Sequence, residues 1–128
     1  MMAPMEQRHT GRYVSSSSPP GGTGVKSNVC DCLVVGLWSA VNNYTQQRAI
    51  RPKFQWQKNR VFYNHFEISD LDVWRSPEYR DYIEYIDKTG GIYYRRWGDA
   101  PIKTLAVTLF IPQNRTHQFQ DIAYNHGR

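Results

Sequence analysis

Apolar side chains recur at Leu37, Trp38, Val41 and Tyr44, a spacing that predicts a short helix over 36–48. Pro52 closes that range, because proline lacks the N–H a helix interior needs. Val61, Phe62, Tyr63, Phe66 and Ile68 then predict a strand over 60–68, read as buried on both faces. Ser76, Pro77 and Glu78 form a helix start: a capping hydroxyl, a proline in the first turn and an acid at the positive end of the dipole. Tyr79, Tyr82, Ile83 and Ile86 supply its apolar stripe, and Gly90-Gly91 ends it. A further helix begins near Asp99, read as its cap, with Ile102, Leu105, Ala106 and Leu109 on one face and Pro112 as its stop. A last strand is expected over 121–124. The order strand, helix, helix, strand implies an α/β layer and leaves the topology open.

The beginning of the chain has no such pattern. Residues 1–28 contain Ser15-Ser16-Ser17-Ser18-Pro19-Pro20-Gly21-Gly22 and almost no large apolar side chain. Such a segment cannot bury enough surface to offset its chain entropy, so it is expected to be disordered. Residues 29–58 read as a linker with one short helix, and 59–128 as the part that builds a domain. The longest apolar stretch, Leu33 to Trp38, is far shorter than the roughly 18 residues of a membrane span. It also lies too far inside the chain for a signal peptide, so no anchor or export signal is expected.

Charge changes this picture little. The 128 residues carry a net charge of +5, but the Lys and Arg are scattered, with no run of the kind that marks a nucleic-acid-binding tail. A mildly basic surface suits an anionic small substrate equally well. Nine Tyr, five Phe and four Trp suit sugar faces and protein cores alike, and the core is the commoner use. Cys30 and Cys32 have no second Cys or His pair nearby and read as ordinary thiols. Asn43-Tyr44-Thr45 and Asn114-Arg115-Thr116 are sequons that matter only in the secretory pathway.

Three polar positions are candidates for chemistry. Glu67 sits within an otherwise apolar strand, where a carboxylate is either paired structurally or at work in a cleft. Asp99, in Trp97-Gly98-Asp99-Ala100-Pro101, is on spacing alone a helix cap. His126 taken alone is an exposed side chain more readily than a metal ligand. Glu67 and Asp99 together could serve as the two carboxylates of sugar chemistry.

From about Asn59 to His126 the chain resembles the fungal Golgi α-1,2-mannosyltransferases. The residues that carry the resemblance are Phe66-Glu67-Ile68 with Asp70 and Asp72, Arg75-Ser76, Tyr85-Ile86-Asp87-Lys88-Thr89-Gly90-Gly91 and, above all, Arg96-Trp97-Gly98-Asp99-Ala100-Pro101. Leu109-Phe110-Ile111-Pro112 and Asp121-Ile122-Ala123-Tyr124 extend it. The resemblance implies part of a GT-A-type glycosyltransferase domain, a mixed sheet with helices. It implies transfer of mannose from GDP-mannose to a mannosylated glycan, with retention and with Mn2+, in the Golgi and at a membrane. Glu67 would be the nucleophile or the group stabilising positive charge on the donor sugar. Asp99 would orient or deprotonate the acceptor hydroxyl, with Trp97 and Arg96 beside it at the substrate, and His126 would ligate manganese.

The departures are informative. His65 replaces the family's Asn before Phe-Glu, and Arg95 replaces a Glu, reversing a charge beside the site. The family's N-terminal half, with its nucleotide-binding strands, acidic metal motif and anchor, has no counterpart in residues 1–58. The expectation is therefore a truncated member whose groups lack much of their positioning shell. The alternative is a non-catalytic carbohydrate- or partner-binding fragment; nucleic acid is not expected as a partner.

Overall fold

The structure is a computed structural model, and it describes residues 13–16, 35–55 and 61–119. In chain order the elements are β1 (Tyr13–Ser16), α1 (Leu37–Gln47), β2 (Tyr63–Ser69), α2 (Leu71–Arg75), α3 (Pro77–Lys88), α4 (Gly91–Tyr94), α5 (Asp99–Phe110), a 3-10 turn (Gln113–Arg115) and β3 (Thr116–Phe119).

The core is built around α5, and its composition explains why. From Thr104 to Leu109 every residue of this helix is buried, so the helix is apolar almost all round and must be covered on more than one side. On one side Ile102, Leu105, Ala106 and Leu109 pack with Leu37, Val41 and Tyr44 of α1 and with Tyr82 and Ile86 of α3. On the other, Val107 joins Val73 of α2 and Ile111, with Phe54, Phe62 and Trp74 beside them. Leu37, Tyr82 and Ile86 are fully shielded from solvent, each contributing about 1.5–3 kcal/mol on burial. Tyr82 keeps its hydroxyl satisfied there by donating to the carbonyl of Ile102 at 3.1 Å.

The caps follow the sequence closely. Ser76 Oγ accepts from the N–H of Tyr79, and Pro77 occupies the first turn of α3. Gly90, at φ 71, takes the left-handed conformation that stops this helix, as the glycine pair implied. At α5 the cap is Gly98 rather than Asp99, and Asp99 is the first helical residue, its side chain left free for other partners. Asp70 caps the short α2 by accepting from the N–H of Asp72 at 2.9 Å, a start signal that periodicity alone does not resolve.

The sheet is mixed, in the order β2-β1-β3, with β1 antiparallel to β2 and parallel to β3. Two expectations are corrected here. Tyr13–Ser16, inside the segment expected to be disordered, forms the central strand, because the neighbouring strands supply hydrogen bonds that four residues cannot supply to themselves. Moreover β2 is not buried on both faces: Phe66 and Ile68 are 44% and 56% exposed. The strand expected over 121–124 lies outside the described residues, as do Cys30 and Cys32. Asn43 and Asn114 of the two sequons are both exposed.

Candidate functional site

The pairing of β1 with β2 is irregular at one point, and that irregularity shapes the site. Ser15 faces Glu67 but Ser16 faces Tyr63, so residues 64–66 have no opposing residue. In a regular strand Asn64 and Glu67, an odd number of positions apart, would point to opposite faces. The bulge removes that constraint, and both side chains reach α5.

Asn64 donates from Nδ2 to Oδ2 of Asp99 at 2.5 Å. This hydrogen bond, ahead of the backbone N–H groups of Ala100 and Asp99 itself and the charge of Lys103, holds the Asp99 carboxyl below the usual carboxylate range. Asp99 is therefore ionised at neutral pH and remains exposed.

Glu67 is held by a different partner set. Lys103, one turn beyond Asp99 on α5, places Nζ 3.1 Å from Oε2 and 3.4 Å from Oε1 of Glu67. Ser69 Oγ donates to Oε1 at 2.9 Å, and Trp74 Nε1 donates in turn to Ser69 Oγ at 2.7 Å. The Lys103 ammonium lies 5.2 Å from the Trp74 ring centroid, within cation–π range. The Glu67 side chain is 11% exposed. The same carboxylate contributes, after burial, to raising the Tyr79 phenol above its ordinary range.

The remaining predicted residues fall in different places. Arg96 is exposed, in a left-handed backbone conformation at φ 53 that is uncommon for a side chain of its size. Trp97, expected to touch substrate, is a core residue, 6% exposed. Its ring covers Gly91 and its Nε1 donates to the carbonyl of Val35 at 2.9 Å, so it holds the loop before Asp99 instead of facing solvent. His126 lies outside the described residues. No group of three or more His, Cys, Asp or Glu among the described residues could hold a metal. The described residues thus do not by themselves form a manganese site. Asn64, Ser69, Trp74 and Lys103 were not singled out from the sequence. Only the three-dimensional approach of β2, α2 and α5 reveals them, although the four-residue step from Asp99 to Lys103 could have flagged a shared helix face. A cavity of about 540 Å³ at the opposite, C-terminal end of α5, floored by Ile50, Val73, Leu109 and Ile111, includes none of these groups.

What these groups belong to is decided by comparison with known proteins. The family model described as glycolipid 2-alpha-mannosyltransferase matches residues 34–128. The chain belongs to this family. The glycolipid 2-alpha-mannosyltransferase of Saccharomyces cerevisiae is 49% identical over 65 residues, which are 51% of this chain and 15% of the yeast protein. A probable mannosyltransferase of Candida albicans, MNT3, is 36% identical over 98 residues, 70% of this chain and 26% of that protein. Among solved structures, the mannosyltransferase Ktr4p of S. cerevisiae superposes with a TM-score of 0.69 at 28% identity, over 90% of this chain and 33% of that one. Core-mannan synthase A of Aspergillus fumigatus, in an Mn/GDP form, gives a TM-score of 0.70 at 25% identity, over 90% of this chain and 34% of that one. This mannosyltransferase-family chain therefore has the family's fold over most of its length. It spans between about a seventh and a third of these relatives' own lengths. Among its described residues no helix is long and apolar enough to cross a membrane.

Proposed function

We propose that this chain carries a truncated portion, with both candidate carboxylates, of a retaining α-1,2-mannosyltransferase that uses GDP-mannose and acts on mannosylated glycans in the Golgi. The observation that supports this most is the gathering of both candidate carboxylates, Glu67 and Asp99, along one seam between β2 and α5 in a chain of this family. Asp99 is exposed and ionised. A carboxylate held below its usual range is a weak base, which favours orienting the acceptor hydroxyl by accepting its hydrogen bond over removing its proton. Glu67, its carboxylate held by Ser69 and Lys103, suits the donor side, where positive charge develops on the sugar as the bond to the diphosphate breaks. Arg96, exposed three residues before Asp99, is available to an anionic or hydroxyl-rich substrate. Trp97 supports that loop from beneath.

GDP-mannose, Mn2+ with His126 as a ligand, membrane association and Golgi location belong to the same proposal. They rest on the resemblance and on the GDP- and Mn/GDP-bound forms of the relatives. The test is transfer of labelled mannose from GDP-mannose to methyl α-mannoside in the presence of manganese. Transfer by the wild-type chain, lost in both Glu67→Gln and Asp99→Asn, is the expected result. Equal transfer by Glu67→Gln would remove Glu67 from the mechanism.

One observation favours a second reading, a non-catalytic carbohydrate-binding role. The chain spans only about a third of the solved relatives, so groups that hold the nucleotide there can lie outside it. Methyl α-mannoside binding that needs no manganese, from a folded chain without transfer, would select this reading.

A further inference from the structure

Four side chains from three elements close a ring around the candidate donor-side carboxylate. Glu67 and Ser69 come from β2, Trp74 from α2 and Lys103 from α5. Each touches the next: Ser69 donates to Glu67, Trp74 donates to Ser69, Lys103 lies over the Trp74 ring and Lys103 closes the circuit on Glu67. Both carboxylate oxygens are engaged, Oε1 by Ser69 and Lys103 and Oε2 by Lys103. A glutamate on an exposed strand samples several rotamers, and fixing it costs side-chain entropy. Here two donors, Ser69 and Lys103, and the indole packed behind them offset that cost in advance, with Tyr79 set edge-on against Trp74 at 4.8 Å as a further wall.

We propose that Lys103 is the positioning residue of this ring. By pairing with Glu67 it fixes the rotamer of the carboxylate relative to α5, the helix whose first residue is Asp99. Two features separate this from a surface ion pair. The pair is mostly shielded, with side-chain exposures of 31% and 11%, whereas Lys88 and Glu84 on α3 remain 71% and 64% exposed. In addition, the one ammonium acts on both candidate carboxylates: it contacts Glu67 and helps to keep Asp99 ionised from the next turn of the same helix. Lys103 thus ties Glu67 to the helix that begins with Asp99, and the proposed reaction assigns these two groups opposite sides of the substrate. The inference deepens the transferase reading and rests on it for its catalytic consequence, while the clamping of Glu67 stands on the geometry alone.

The experiment labels carboxylates of the full chain with a water-soluble carbodiimide and an amine, and follows Glu67 by peptide mass spectrometry. Wild type is compared with Lys103→Met, Lys103→Arg and Ser69→Ala, with circular dichroism as a check that each is folded. Lys103→Met is expected to raise Glu67 labelling several-fold, with exposed Glu84 as an unchanged internal standard. Lys103→Arg, which keeps the charge, should restore protection, and Ser69→Ala should give an intermediate rise. Unchanged labelling in folded Lys103→Met and Ser69→Ala overturns the clamp. Where the chain transfers mannose, Lys103→Met should lower kcat by roughly tenfold or more with little change in the acceptor KM, against the order of 10²-fold that a 1 Å misplacement can cost. Unchanged kcat would reduce Lys103 to a structural pair. A wild-type chain that transfers nothing defeats the transferase reading instead, and leaves labelling to decide the clamp.

Discussion

Asn64 and Asp99 stand 35 positions apart in the chain, yet the amide of one donates to the carboxylate of the other at 2.5 Å. This bond ties the bulged part of β2 to the first turn of α5. It is also the largest cause of the depressed Asp99 pKa, and from it the first prediction follows.

Asn64→Ala should move the Asp99 titration midpoint up, toward the ordinary carboxylate value of about 4. A carboxylate depressed in the folded state stabilises the fold above its unfolded pKa, and this contribution is lost as pH falls through the folded value. The wild-type chain should therefore lose the contribution only below about pH 4, and Asn64→Ala should lack the share that Asn64 supplies. Because Asp99 is exposed, the effect on stability will be small. Carbon-13 NMR of the Asp99 carboxyl reads the midpoint directly, and an unchanged midpoint in the variant would rule out Asn64 as its cause.

At the alkaline end, Tyr44 and Tyr82 should resist ionisation. Burial, followed for Tyr44 by its hydrogen bond to Asp81 at 3.0 Å, raises both phenols well above the ordinary value near 10. A phenol raised in the folded state stabilises the fold below its unfolded pKa, and that contribution fades as pH climbs above about 10. Absorbance at the phenolate band should show these two tyrosines titrating only with loss of the helical circular-dichroism signal. Their ionisation in a chain that stays folded would contradict the burial described.

Gly91 should tolerate no side chain. An added Cβ would come within 2.4 Å of three ring carbons of Trp97, which real contacts essentially never show. Gly91→Ala must displace the indole that anchors the loop before Asp99, and should destabilise the chain by about 1–3 kcal/mol. Chemical denaturation measures this, and the Trp97 hydrogen bond to Val35 should be lost in the same variant. Wild-type stability in Gly91→Ala would mean that the ring has room to move.

The open face of the sheet should make the chain self-associate. Phe66 and Ile68 lie on β2 with large exposed areas, and the Phe66 ring meets that of Phe119 on β3 at 5.8 Å, so the apolar surface runs across strands. Sedimentation velocity should show concentration-dependent association, reduced in the double variant Phe66→Ser, Ile68→Thr. A wild-type chain that stays monomeric at high concentration would exclude this face as the cause of any association.

Helices α1, α3 and α5 were legible in the sequence because their signals are local. A hydroxyl cap at Ser76, a left-handed glycine at Gly90 and apolar residues three and four apart each act within one or two turns. Glu67 and Asp99 were legible as candidates because a carboxylate among apolar residues and one in Trp-Gly-Asp stand out residue by residue. The partners of these carboxylates were not legible. Asn64 reaches Asp99, and Lys103 reaches Glu67, only because a bulge in β2 breaks the alternation of the strand and α5 packs alongside. β1 escaped notice for the same reason: four residues rich in serine become a central strand through hydrogen bonds that belong to β2 and β3. The place of Trp97 in the core likewise depends on Gly91 and Val35, brought to it by the fold. Forces between near neighbours therefore made α1, α3, α5 and the two carboxylates readable along the chain. Tertiary packing alone decided which cation, amide and indole surround them, because those contacts join residues dozens of positions apart.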